Sequence, residues 1–181
     1  VFTDITSKKA EDERIKHYAY YDPLTNLPNR LFFMELLAQA ITLAKRKKEL
    51  LAVLFIDLDH FKSINDQYGH LIGDKFLCAV SQILQSIIRE ADTVSRFGGD
   101  ELVILLNGVK SKENARTIAK KILSDLQQEK VEIDSHQFHI EASIGGALYP
   151  DDAKDANDLI KCSDKAMYHV KTSTRGDVFF F

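Results

Sequence analysis

No apolar run in this sequence approaches the roughly 20 residues needed to span a bilayer, and no signal peptide is visible. Cysteine is scarce: Cys78 and Cys162 stand alone on apolar helix faces, without metal-ligand spacing. They read as small core hydrophobes in a reducing cytoplasm. Positive charge is not in excess either. Lys and Arg number 24 against 27 Asp and Glu, and the net charge of −3 leaves no nucleic-acid footprint. No internal repeat or low-complexity segment occurs. What remains is ordinary for a soluble globular protein: 181 residues, 45% hydrophobic and 28% charged, enough for one domain with a short appendage.

The chain is organised around Arg96-Phe97-Gly98-Gly99-Asp100-Glu101-Leu102. Thr93-Val94-Ser95 before it alternates as a strand does, and Leu102 to Leu106 after it is apolar enough for a strand buried on both faces. Two glycines between two strands predict a tight hairpin. Asp100 and Glu101 then place two like charges side by side at the turn, either as a solvated polar turn or as a working pair. A second acidic strand end favours the working pair. Leu50 to Leu58 is a near-continuous apolar run, hence a central strand, and it leaves the core through Asp57-Leu58-Asp59. Period-two geometry puts Asp57 and Asp59 on one face, unless the strand has already ended. Carboxylates beside a core need a cation or hydrogen bonds, and hard oxygen ligands of this kind suit magnesium.

The flanking segments supply the rest of the fold. Val1 to Ile5 resembles a strand end, after which Thr6 or Ser7 caps a helix through Ile15. This is a connector from an upstream domain or a frayed terminus. Asp22 to Arg30 is dense in turn residues. Asn29 caps a helix carrying Phe33, Leu36, Leu37, Ala40 and Ala44 inward, and Lys45 to Lys48 complement its dipole. The stretch from His60 begins as a helical turn and breaks at Gly69. A longer helix then buries Phe76, Leu77, Val80, Ile83, Leu84, Ile87 and Ile88. Asn65 and Asp74 could together read a purine edge, and each alone also suits a cap or turn. Ser111 caps a further helix. Strands follow over 131–133 and 138–144, closed by Gly145 to Pro150. A last helix carries Leu159, Ile160, Ser163, Met167 and Val170, and Asp177 to Phe181 adds an edge strand. The order, roughly αβααββαββαβ, predicts an α/β (α+β) architecture with a mixed sheet and helices outside.

Asp22-Pro-Leu-Thr-Asn-Leu-Pro-Asn-Arg30, Phe55-Ile-Asp-Leu-Asp-His-Phe-Lys62, Asn65-Asp66, Gly69-His70, Gly73-Asp74, Arg96-Phe-Gly-Gly-Asp-Glu101, Ser143-Ile-Gly145 and Asp164-Lys-Ala-Met-Tyr168 occur in this order. Together they resemble the GGDEF family of diguanylate cyclases, over residues 20–181. The resemblance implies a mainly antiparallel, palm-like sheet and the condensation of two GTP molecules into cyclic di-GMP and two pyrophosphates. It further implies a homodimer, and residues 1–19 as the linker from a PAS-like sensor domain.

Carried over by position, Asp57 and Asp100 resemble the carboxylates that hold two magnesium ions (manganese can substitute), with the Leu58 carbonyl assisting. Glu101 resembles the residue that binds metal or activates the ribose 3′-hydroxyl. Asn65 and Asp74 match the guanine-reading pair, and Lys171 and Arg175 match phosphate contacts. The same resemblance puts Phe61, Lys62, His70, Gly98 and Gly99 against the nucleotide, the glycines where a Cβ would collide with it. Arg89-Glu90-Ala91-Asp92 resembles the RxxD site at which the product inhibits. Without the resemblance, Arg89 reads as an exposed helix-end cation. The family's further arginine falls near Lys120, with Arg116 one turn earlier, and lysine lacks the planar fork. Leu102 replaces the family's phenylalanine with another apolar residue. The alternative is a low-turnover domain that binds GTP or cyclic di-GMP. A cyclase for another nucleotide is disfavoured by Asn65 and Asp74.

Overall fold

The computed structural model describes residues 2–181. A five-stranded sheet forms the centre, in the order β2-β3-β1-β6-β7. Its strands are β1 (Leu50–Leu58), β2 (Thr93–Gly98), β3 (Glu101–Val109), β6 (Ala142–Tyr149) and β7 (Val178–Phe180). All neighbours are antiparallel except β6 and β7, which run parallel. A separate hairpin pairs β4 (Lys130–Ile133) with β5 (His136–His139). The helices are α1 (Phe2–Tyr20), α2 (Arg30–Lys47), α3 (Phe61–Tyr68), α4 (His70–Ile87), α5 (Lys112–Gln128) and α6 (Ala156–Ser173).

The period of two in the strands divides the core into two layers. Ala52, Leu54, Ile56, Leu102, Ile104 and Leu106 face α4 and α5, packing with Leu77, Val80, Ala119 and Ile122. Leu51, Val53, Phe55, Val103 and Leu105 face the opposite way, onto Phe33 and Leu37 of α2 and Leu159 and Met167 of α6. Central strands covered on both faces explain the unbroken apolar runs.

Several signals act as the sequence predicts. The Asn29 side chain accepts from the Phe32 N–H at 3.0 Å, and Ser111 accepts from Asn114 at 3.0 Å. Gly69, at φ 88°, separates α3 from α4.

Three expectations are corrected. The strand end predicted over Val1 to Ile5 is helical from Phe2 onward, with Thr6 and Ser7 inside α1 rather than capping it; Val1 lies outside the described residues. A helix satisfies the backbone groups of this segment internally, with no sheet partner needed. The strand predicted over 138–144 is two strands in different sheets, because the chain leaves the β4–β5 hairpin at Ile140-Glu141 to enter the main sheet. Gly145 to Tyr149 is not a turn but the buried latter part of β6, and the chain turns only at Pro150. A Cβ on Gly145 would lie 2.0 Å from the Met167 backbone nitrogen, and one on Gly146 would lie 2.4 Å from the Phe180 ring. Those glycines admit α6 and β7, not a turn.

Candidate active site

The acidic ends of two adjacent strands meet at one rim of the sheet. Asp57 continues the odd-numbered face of β1 and therefore looks toward α6, as does Glu101 at the start of β3. The two residues are direct cross-strand partners. The Leu58 N–H donates to the Asp100 carbonyl at 3.4 Å, and the register shifts between Arg96 and Gly98. Gly98 and Gly99 take φ of 150° and 50°, which L side chains rarely adopt. A Cβ at either would meet nothing within 4 Å, so within the chain the glycines answer to backbone conformation rather than crowding.

Burial shapes the electrostatics. Asp57 is buried, and its proton affinity is raised by desolvation and by the charges of Asp100 and Asp59, against a hydrogen bond from Lys171. That ammonium, from the last turn of α6, lies 2.8 Å from Asp57 Oδ1. Burial lowers the proton affinity of Lys171, but the hydrogen bond to Asp57 and the charges of Asp57, Asp100 and Asp59 more than restore it. Glu101 is raised by desolvation first and then by Asp164, Asp57 and Asp100.

Asp59 is placed differently from its neighbour Asp57. The Ser143 hydroxyl donates to both its carboxylate oxygens at 3.1 and 3.0 Å, and the Gly176 N–H donates at 3.3 Å. It ties the exit of β1 to β6 and to the loop after α6.

The α3–α4 junction brings Asn65 against Gly73, the residue before Asp74. The Asn65 amide lies so close to Gly73 that a Cβ there would fall 1.8 Å from Asn65 Oδ1. Asp74 follows Gly73, exposed, on a cavity of about 530 Å³ shared with Leu24, Leu71, Cys78 and Ile133. Phe61 packs its ring 6.4 Å from Phe76, while Lys62 and His70 are exposed at the starts of α3 and α4. Arg175 is exposed beyond α6 and donates back to the Lys171 carbonyl at 3.3 Å. It lines a cavity of about 500 Å³ with Lys171 and Tyr168.

Arg89 and Asp92 form a bidentate pair at 2.8 and 2.9 Å, and Arg89 also donates to the Asn107 carbonyl at 3.0 Å. Arg116 pairs with Glu113 on its own helix, and Lys120 is exposed. Among the described residues, no contact brings Arg116 or Lys120 to the Arg89–Asp92 pair.

The donor set fits magnesium. Carboxylates at adjacent strand ends offer hard oxygens, and the Lys171 ammonium already sits on Asp57 as a cation. Donors of this kind suit an ion that takes one or two carboxylates and completes its shell with phosphates and water. Sequence reasoning carried Asp22 and Arg96 only as motif residues and missed their link: Arg96 donates to the Asp22 carboxylate and to the Gly99 carbonyl. It also missed the charge of Asp164 beside Glu101. Asp164 was visible only as a motif residue, although it precedes Lys171 by seven positions and so shares its stripe of α6.

A profile of the family described as diguanylate cyclase, GGDEF domain, matches residues 19–177. MucR of Pseudomonas aeruginosa, a bifunctional diguanylate cyclase/cyclic di-GMP phosphodiesterase, is 40% identical over 176 residues, 97% of this chain and 25% of its own length. Diguanylate cyclase TpbB of the same species is 40% identical over 166 residues, 92% of this chain and 38% of its own length. The chain thus spans well under half of these relatives. A solved structure of the TpbB GGDEF domain superimposes with a TM-score of 0.85 at 40% identity, covering 88% of this chain and 93% of that one.

Proposed function

This chain belongs to the diguanylate cyclase GGDEF-domain family, and on that premise we propose that it condenses two GTP molecules into cyclic di-GMP. The observation that carries the reading is the cross-strand pairing of Asp57 with Glu101, beside Asp100 and under Lys171. In each half-reaction the ribose 3′-oxygen bonds to the α-phosphorus of the other GTP, pyrophosphate leaves, and the hydroxyl proton goes to a base.

Asp57, Asp100 and the Leu58 carbonyl would hold two magnesium ions, which would polarise the α-phosphate and neutralise developing charge. Glu101, whose proton affinity burial and three carboxylates raise, suits either metal binding or acceptance of the 3′-hydroxyl proton. Lys171 and Arg175 neutralise the phosphates. Asn65 and Asp74 pair with the guanine edge, and Phe61, Lys62, His70, Gly98 and Gly99 border the nucleotide. One chain holds one GTP, so catalysis takes two chains facing each other. Arg89 and Asp92 would bind product away from the carboxylates, with Arg116 and Lys120 contributing. Residues 1–19 would link to an upstream, PAS-like sensor domain.

The test is to incubate the chain with GTP and magnesium and identify the product by mass. Cyclic di-GMP is expected from the wild type, and none from Asp100→Asn, whose amide offers one neutral oxygen in place of a carboxylate. Equal turnover by that variant would remove Asp100 from the metal site.

A further inference from the structure

We propose that Arg96, held by Asp22, is a positioning residue that fixes the Gly99–Asp100 peptide for catalysis and ties it to the loop on which α1 ends. The proposal rests on the cyclase reading for what the turn does, and on geometry alone for the latch.

The guanidinium is used on two sides. Its Nη1 reaches both carboxylate oxygens of Asp22 at 3.0 Å. Its Nε and Nη2 converge on the Gly99 carbonyl at 3.1 and 2.9 Å. A planar fork can serve a carboxylate and a carbonyl at once, whereas a lysine ammonium is a single point of charge. The side chains of Arg96 and Asp22 are only 15% and 16% exposed, so solvent screens this pair less than an ordinary surface bridge.

The turn needs such a restraint. Gly98 and Gly99 are the residues with the most conformational freedom to lose, and no neighbour stands within 4 Å of where their Cβ atoms would be. Asp100 follows Gly99 directly, so a rotated Gly99–Asp100 peptide displaces its carboxylate. Misplacement of a reacting group by about 1 Å can cost on the order of 100-fold in rate.

The other end of the latch is rigid. Asp22 accepts from the Thr25 N–H and hydroxyl, both at 2.8 Å. Burial opposes its charge, but those bonds and the Arg96 guanidinium hold its carboxyl below the usual range. The Pro28 carbonyl accepts from the Arg96 N–H at 3.0 Å and from the Ser95 hydroxyl at 2.7 Å. Asn29 donates to the carbonyls of Tyr20 and Ala19, each at 2.8 Å. A continuous hydrogen-bonded path therefore runs from the last turn of α1 to the carbonyl before Asp100.

The experiment compares wild type, Arg96→Lys and Asp22→Asn in three readouts: kcat and KM for GTP, melting temperature, and amide hydrogen exchange over residues 97–101. Arg96→Lys is expected to lower kcat at least about tenfold with KM changed less than about threefold, and to speed exchange across the turn. Asp22→Asn, which keeps an acceptor for Thr25, should shift both readouts in the same direction by less. An unchanged kcat in both variants overturns the proposal. So does a loss that follows only the unfolded fraction while turn exchange stays at the wild-type rate. If the wild type makes no product, the cyclase reading fails, and the latch is judged by exchange alone: faster exchange in both variants sustains it, and wild-type exchange overturns it.

Discussion

Lys171 donates to Asp57 Oδ1 at 2.8 Å, joining the last turn of α6 to the end of β1 across 114 residues of sequence. Asp57 is buried, and a buried carboxylate requires a cation or donors. The ammonium supplies one from within the chain, so a metal ion on Asp57 competes with it.

Lys171→Ala removes that competitor and also a phosphate contact, so its two effects should have opposite signs. Manganese titrated without nucleotide should bind several-fold more tightly to the variant, while turnover of GTP falls at least about tenfold. Unchanged manganese affinity would show that Lys171 and the metal do not share Asp57.

Glu101 yields a pH-dependent prediction. Desolvation and the charges of Asp164, Asp57 and Asp100 raise its folded-state pKa above the ordinary 4.5. For an acid shifted upward, the stabilising contribution is complete below 4.5 and is lost as pH rises through the folded value. At pH 7 the ionised carboxylate is therefore a cost to the fold. In chelator, Glu101→Gln should melt a few degrees above wild type at neutral pH, and the gap should close as pH falls below 4.5. Parallel melting curves across that range would mean that Glu101 is not strained.

The proposed reading gives base selection to Asn65, whose amide lies against Gly73, and to Asp74, the residue that follows Gly73 in the chain. Loss of a polar partner costs about 1–3 kcal/mol, so Asp74→Ala should weaken GTP binding roughly tenfold and leave ATP binding nearly unchanged. An equal fall for both nucleotides would assign Asp74 to the pocket wall instead.

The parts of this architecture that rest on local rules were legible in the sequence. The β2–β3 hairpin, the apolar run of β1 with its acidic exit, and the Asn29 and Ser111 caps all follow from neighbours a few residues apart. What was not legible depends on distant partners. Gly145 and Gly146 look like a turn until α6 and Phe180 are seen resting on them. Asp22 looks like a loop residue until Arg96, 74 positions later, reaches it. Asp57 and Asp59 look equivalent by period, yet one faces Lys171 and the other is enclosed by Ser143 and Gly176. Period fixes a face only while the strand lasts, and β1 ends at Leu58.

Product inhibition is the reading assigned to Arg89, and the structure shapes how it must be tested. Arg89 already spends Nε and Nη2 on Asp92 and the Asn107 carbonyl, and the Asp92 side chain is only 2% exposed. Arg89→Ala would leave that carboxylate short of a partner and confuse stability with binding. Arg89→Lys keeps a cation for Asp92 and removes the fork, so it is the cleaner variant. Charge-assisted bonds to a guanine or phosphate contribute about 1.5–3 kcal/mol. Arg89→Lys should therefore raise the inhibitory concentration of cyclic di-GMP about tenfold, with inhibition remaining non-competitive toward GTP. Lys120→Arg restores a fork on α5 and should lower that concentration. If Lys120 acts from a second chain, the effect of Lys120→Arg should fade as the enzyme is diluted; if one chain supplies both residues, it should not. Equal inhibition of wild type and Arg89→Lys would return Arg89 to the role it plays in the free chain, that of bracing Asp92 and Asn107 between α4 and β3.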